Sequence, residues 1–193
     1  MGHTINENGL HFTPDKLDSF LNFPKPETKK QIKSFLGLAN YFRDHIRDHS
    51  DRVAPLQQLV AGYDKKQSRH KIIWTPECEF AFDDIRKAIH DCPLLWFMDD
   101  FSAIFLKTDA SDYGIGAYLY QLVNVDGVMV EHPIGFISKS IASAHASWDT
   151  PIKEGFGIYY ALQKWEYLLR DRQFTILTDH ENLTRLRADH DTN

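Results

Sequence analysis

The sequence has few cysteines and no long apolar run, and these absences exclude several classes of protein. Its two cysteines, Cys78 and Cys92, form no CxxC pair. A disulfide framework and a cysteine zinc site are therefore not expected, and both thiols are predicted to be reduced. No apolar stretch approaches the roughly 18 residues of a membrane span, and the first residues, MGHTINENGL, lack the features of a signal peptide. We therefore expect an intracellular protein without a membrane partner.

The charges are unevenly distributed along the chain, although the net charge is only −5. Residues 24–74 contain eleven basic and five acidic side chains, whereas the chain from residue 75 onward contains ten basic and nineteen acidic ones. This asymmetry is typical of a module that grips a polyanion next to a site that requires cations. Two solvated surfaces of different composition would give the same counts.

The first half of the chain has mainly helical periodicity. A short hairpin is predicted within the first residues, around Gly9. Thr28 offers an N-cap with Gln31 three residues later, and apolar residues at helical spacing predict a helix over about 28–48. A shorter helix is predicted after Ser50, and a third begins at Thr75 with proline at its first position. No internal repeat is present.

The second half of the chain changes to a strand rhythm. Strands are predicted near 103–109, 114–123 and 128–138, with Asp126-Gly127 as the hairpin turn between the last two. A helix over 151–169 is predicted to follow. A further strand covers 174–178, and a short helix is predicted over 180–187. The long helix is expected to bury apolar and aromatic residues, namely Ile152, Phe156, Tyr159, Tyr160, Leu162 and Trp165. The fold class is therefore α/β (α+β), with helices flanking a mixed sheet.

Three acidic residues occupy positions that a sheet-based metal site uses. Asp109 lies near the end of the first strand, Glu154 in the first turns of the long helix, and Asp179 at the end of the later strand. If the two strands are neighbours, the three carboxylates converge and suit two Mg²⁺ or Mn²⁺ ions about 4 Å apart. Alternatively, each aspartate caps the turn after its strand, because TDASD and TDHEN are good turn sequences. The residue pattern leaves both interpretations open.

Several motifs in a specific order resemble a known family. The ribonuclease H domain of gypsy-like LTR retrotransposon Pol polyproteins is similar to TDASDYGIGAYLYQ, to FISKS through IKEGFGIYYALQKWEYLL, and to FTILTDHENL. The thumb of the same reverse transcriptases is similar to FPKPETKKQIKSFLGLANYFRDHI and HKIIWTPECEFAFDDIRKAI, and the end of the palm to MGHTINENGLHFTPDKL. The resemblance covers nearly the whole chain. It implies a palm hairpin end over 1–13, a helical thumb-like subdomain over 14–98 and a ribonuclease H-like domain over 99–193.

The resemblance also implies roles for individual residues. Asp109, Glu154 and Asp179 match carboxylates that bind two Mg²⁺ or Mn²⁺ ions and direct water onto the RNA strand of an RNA/DNA hybrid, with Asp109 bridging both ions. The thumb-like helix would contact the template–primer duplex through Lys29, Lys30, Lys33, Gly37, Asn40 and Tyr41. The missing side chain of Gly37 would allow a close backbone approach. Tyr41 could equally be a core residue.

The sequence departs from the family in several places. It contains no YxDD-type sequence, so the polymerase site is expected to be absent, and a fourth carboxylate is expected to follow the point where the sequence stops. Ile152 and Gly155 stand where the family shows an acid and an apolar residue, and a helical glycine costs about 1 kcal/mol relative to alanine. His180 is interpreted as a helix-start residue rather than a general base.

We therefore expect a segment of a retroelement reverse transcriptase with ribonuclease H activity, whose partners are the rest of the Pol polyprotein and an RNA/DNA hybrid or template–primer duplex. The resemblance implies cytoplasmic virus-like particles, and the nucleus, as its location. A non-catalytic nucleic-acid-binding or domesticated module is the alternative interpretation. A structural connector within a polyprotein is a third.

Overall fold

A small antiparallel sheet joins the beginning of the chain to its middle. In the computed structural model, which describes residues 2–63, 70–111, 114–141 and 147–179, strands β1 (His3–Ile5) and β2 (Gly9–Phe12) form the predicted hairpin. Strand β3 (Leu95–Trp96) pairs with β2. The sequence did not predict β3, because two residues are too few to show an alternating pattern.

The helical module, defined here as the helices between β2 and β3, packs around aromatic side chains. Phe20, Phe35, Phe42 and Phe82 are almost fully buried and contact one another ring to ring. The helices are α1 (Pro14–Leu21), α2 (Lys29–Ala39), a 3₁₀ helix (Asn40–His45), α3 (His49–Leu59) and α4 (Pro76–His90). Burying such rings is the main favourable term for this module.

The helix predicted over 28–48 has the expected start, but its predicted end is wrong. Thr28 and Gln31 form a complete capping box, as the sequence indicates. The α-helix ends at Ala39, and the chain continues as the 3₁₀ helix. Because a 3₁₀ helix has three residues per turn, Phe42 and His45 fall on the same side, and both are buried.

Four strands form the main sheet, in the spatial order β6-β5-β4-β7. The neighbours β4, β5 and β6 pair antiparallel, while β7 pairs parallel with β4. The strands are β4 (Ala103–Ala110), β5 (Gly114–Val125), β6 (Val128–Ser140) and β7 (Phe174–Leu177). The predicted strands are thus confirmed, and the positive φ angles of Asp126 and Gly127 support the predicted hairpin turn.

One face of this sheet is covered by α5 (Thr150–Lys164), which is followed by the short α6 (Glu166–Leu169). The small residues Gly157 and Ala161 face the sheet and are buried, so the helix can lie close to the strands. The prediction that Ile152 and Tyr159 are buried is wrong, because they are 53% and 58% exposed. They lie on the side of α5 that turns away from the sheet. The predicted helix over 180–187 lies outside the described residues.

No helix in the described part of the chain is long and apolar enough to cross a membrane.

The helical module contacts the sheet on the face opposite α5. Along β5, Ala117 packs with Ala161 of α5, so Gly116 points to the other face. There, the backbone N–H of Ser50 donates to Ser138 Oγ at 2.6 Å, and Arg43 donates to the backbone carbonyl of Ser138. These contacts join the two halves of the protein beside the end of the sheet where β4 finishes.

Candidate metal centre and nucleic-acid surface

The parallel pairing of β4 and β7 brings two aspartates to the same end of the sheet. Lys107 lies opposite Leu177 in the register, and Asp109 and Asp179 each follow two residues later. Both are exposed. The sequence made this arrangement conditional on the two strands being neighbours, and the sheet order satisfies that condition.

Glu154 reaches the same place from α5. Its side chain is 2% exposed, and its Oε1 accepts a hydrogen bond from the backbone N–H of Ala110 at 2.9 Å. Gly157, one turn later, lies against Ile115 of β5. The close contact of α5 with the sheet therefore fixes Glu154 next to the residue that follows Asp109.

The three carboxylates are close enough to share divalent cations. One ligand oxygen from each of Asp109, Glu154 and Asp179 lies within 4.8 Å of the others. Two oxygens on opposite sides of one Mg²⁺ are about 4.2 Å apart, so small side-chain rotations would bring all three onto shared ions. Among the described residues, neither Asp109 nor Asp179 forms an ion pair. The donor set is made of the hard oxygens that Mg²⁺ and Mn²⁺ prefer.

Two further acids, which the sequence analysis missed, approach this site from the helical module. Burial raises the pKa of Asp48 and of Asp51, and the negative charge of Asp109 acts in the same direction on both. An added side chain at Gly116 would come within 2.6 Å of Asp48 Oδ1, and one at Gly114 within 3.3 Å of Asp51 Oδ1. No local signal in the sequence indicates this proximity, because it depends on how the two halves pack.

The residues predicted to contact nucleic acid lie on a different surface. Lys30, Lys33 and Gly37 are exposed along one side of α2, and Asn40 continues that side at the start of the 3₁₀ helix. Lys29, the first residue of the helix, is half-buried. A side chain added at Gly37 would meet no described atom within 4 Å. No close contact within the described protein therefore requires glycine there.

Tyr41 packs against the core and is also partly exposed. Its ring packs against Phe12 and Phe42, and its hydroxyl accepts a hydrogen bond from the backbone N–H of Gly2 at 3.2 Å. The side chain is nevertheless 39% exposed. Tyr41 therefore stabilises the junction with the N-terminal hairpin while keeping part of its ring at the surface.

Comparison with known proteins agrees with this architecture. Residues 99–193 match the model of the RNase H-like domain found in reverse transcriptase. The Tf2-3 and Tf2-4 transposon polyproteins of Schizosaccharomyces pombe are each 34% identical to this chain over 185 residues, which is 95% of the chain. The chain spans 13% of the length of these relatives.

Solved structures show the same fold. The foamy viral protease–reverse transcriptase in complex with an RNA/DNA hybrid superimposes with a TM-score of 0.68, at 23% identity, over 95% of this chain and 24% of that one. The same protein in complex with double-stranded DNA gives 0.70 at 22% identity, over 97% and 38% of the two chains.

The second half of this chain therefore belongs to the RNase H-like domains of reverse transcriptases. The chain as a whole is homologous to a segment of the Tf2 retrotransposon polyproteins.

Proposed function

We propose that this chain hydrolyses the RNA strand of RNA/DNA hybrids at a centre of two Mg²⁺ or Mn²⁺ ions held by Asp109, Glu154 and Asp179. The observation that carries the proposal is the convergence of these three carboxylates within 4.8 Å at one end of the sheet. Domains of this family generally use divalent metal ions, which would activate water and stabilise the charge that develops on the leaving oxygen.

The three carboxylates differ in how firmly they are held and in how exposed they are to solvent. Glu154 is buried and tied to the backbone of Ala110, so its carboxylate is held still beside the end of β4. Asp109 and Asp179 are exposed, so a phosphodiester backbone can approach them from solvent. One fixed and two accessible carboxylates favour binding in which the substrate completes the coordination of the ions.

The helical module would hold the duplex while the carboxylates act. The exposed side of α2 offers Lys30 and Lys33 for phosphate contacts, and Gly37 leaves room for a backbone to approach closely. This proposal also draws on the foamy viral relatives, whose structures are complexes with double-stranded DNA and with an RNA/DNA hybrid. In the longer polyprotein, the activity would act on the product of reverse transcription.

Cleavage of a labelled RNA/DNA hybrid in Mg²⁺ and in Mn²⁺ tests the proposal. Asp109→Asn should reduce the rate by at least about a hundredfold, because it would remove one charged ligand of the metal centre. Asp126→Asn is the matched control, since it removes the same charge from the turn at the far end of β5. Equal cleavage by wild type and Asp109→Asn would contradict the assignment of the site.

The alternative is a module that binds nucleic acid without cutting it. The exposed basic side of α2 favours this second candidate independently of the carboxylates. It predicts binding to hybrid that weakens steeply with salt and is unaffected by Asp109→Asn. Absence of cleavage by the wild-type chain, together with salt-sensitive binding, would replace the first proposal with this one.

A further inference from the structure

A cavity of about 750 Å³ lies beside β6, the edge strand of the main sheet, and both the helical module and the α5–α6 segment contribute to its lining. Its lining includes Gly135 of β6, which lies against the ring of Trp165. Tyr41 and Arg43 of the 3₁₀ helix also line it, as do Lys164 and Tyr167. Cations and aromatic rings therefore face the same space.

Two lysines, Lys164 in the lining of the cavity and Lys139 next to the lining residue Ser138, are held by aromatic rings instead of carboxylates. Lys139 Nζ lies 4.3 Å from the centroid of the Tyr160 ring and 5.3 Å from that of Phe156. Lys164 Nζ lies 5.6 Å from the centroid of Tyr160. Such cation–π contacts orient an ammonium group without neutralising its charge.

The charge balance of this region is positive. Within the described ranges of the chain, neither Lys139 nor Lys164 forms an ion pair. Asp44 is the one acidic residue among the described residues that line the cavity, and it lies 4.0 Å from Arg43. The lysine charges are therefore available to an anion that enters from solvent.

The exposed rings indicate what kind of anion fits. Tyr167 is 77% exposed and Tyr41 39% exposed, and both line the cavity. Exposed tyrosines stack with nucleobases of any sequence, while lysines contact the phosphates between them. An open groove that offers both is suited to a single strand of nucleic acid, whose bases are free to unstack.

The cavity and the carboxylates are linked through the register of the sheet. Ser138, which lines the cavity, lies opposite Gly116, and Gly116 lies opposite Asp109. Tyr160 follows Glu154 by six residues of the same helix, about 9 Å along its axis.

We infer that Lys139, Tyr160, Lys164 and Tyr167 form a binding track for single-stranded nucleic acid, leading away from the carboxylate centre along α5 and the edge strand β6. The inference rests on the proposed function, because the carboxylate centre defines the end at which the track begins. The strand that the track receives would be the unpaired end of a hybrid whose duplex part lies at the carboxylates.

Fluorescence anisotropy of a labelled 12-nucleotide oligo-dT, measured with the whole chain in EDTA, tests the track without metal. Lys139→Gln should lower the slope of log affinity against log salt by about 0.7, the value for one phosphate contact on a single strand. Lys107→Gln is the matched control, since it removes one exposed charge from β4. Equal effects of the two substitutions would overturn the inference.

Tyr167→Ala tests the stacking part with little risk to folding, because the ring is largely exposed. It should weaken oligo-dT binding about tenfold, whereas Phe101→Ala, which removes a 97% exposed ring elsewhere, should not. An adenosine monophosphate competitor that binds as tightly as the oligonucleotide would overturn the track in favour of a pocket for one nucleotide.

Asp109→Asn separates this inference from the proposed function. Cleavage that depends on Asp109, combined with no effect of Lys139→Gln on oligo-dT binding, would overturn the track alone. Loss of oligo-dT binding in Lys139→Gln, combined with no hybrid cleavage by the wild type, would support the track and overturn the proposed nuclease.

Discussion

At the scale of single residues, His49 shows how burial makes stability depend on pH. The side chain is 4% exposed, and burial, with the nearby charge of Arg43, lowers the pKa of His49 to about 4. In the unfolded chain a histidine titrates near 6.5. The folded state therefore binds fewer protons than the unfolded state between these two values.

This difference predicts a loss of stability on acidification. The contribution of His49 should be fully present above about pH 6.5 and lost as the pH falls through about 4, with a size on the order of 3 kcal/mol. Burial also lowers the pKa of His45, so this residue contributes to the same loss of stability. The pKa values of Asp48 and Asp51 are raised, so the folded state binds these protons more readily than the unfolded state. Their protonation therefore adds stability as the pH falls towards the usual carboxyl range, which opposes the effect of the histidines.

Urea midpoints at pH 7 and pH 4.5 measure the effect. His49→Gln should lose less stability between these values than the wild type, because glutamine does not titrate. His70→Gln, at an exposed position, should lose as much as the wild type. An unchanged pH dependence in His49→Gln would show that the histidine is not held neutral by the fold.

At the scale of elements, α2 carries a glycine that the folded protein does not require. Gly37→Ala should stabilise the protein by about 1 kcal/mol, since alanine is the better helix former and its methyl group would meet no described atom within 4 Å. The same substitution should weaken binding to a template–primer duplex if α2 lies against nucleic acid. A variant that is more stable but binds more weakly would indicate that α2 is a binding surface. A variant that is more stable and binds equally well would indicate that the glycine is merely tolerated.

Gly155→Ala is the matched control for this prediction. Gly155 also lies inside a helix, and a side chain there would likewise meet no described atom within 4 Å. It should raise the unfolding midpoint by a similar amount and leave duplex binding unchanged. Equal losses of binding in both variants would indicate that helix stiffness, and not the surface of α2, governs affinity.

At the scale of the whole molecule, Ser138 connects the two halves. It is 3% exposed, and its Oγ accepts the hydrogen bond from the backbone N–H of Ser50, which is also buried. Ser138→Ala should leave that N–H without its partner and cost about 1–3 kcal/mol. Ser140→Ala, at the exposed end of the same strand, should cost little.

Thermal unfolding and limited proteolysis between the halves measure this coupling. Ser138→Ala should unfold at lower temperature and be cut faster in the segment that joins β3 to β4. A variant as stable and as resistant as the wild type would show that the contact of Ser50 with Ser138 contributes nothing to holding the helical module on the sheet.

The sequence by itself determined most of the helices and strands and the positions of the three candidate carboxylates along them. The capping box at Thr28, the hairpin turn at Asp126 and the strands that carry Asp109 and Asp179 all depend on neighbours within a few residues, so local patterns indicate them. The tertiary structure decided the rest. The exposure of Tyr159, the change to a 3₁₀ helix at Asn40 and the approach of Asp48 to Asp109 depend on packing between distant segments, which periodicity along the chain does not encode.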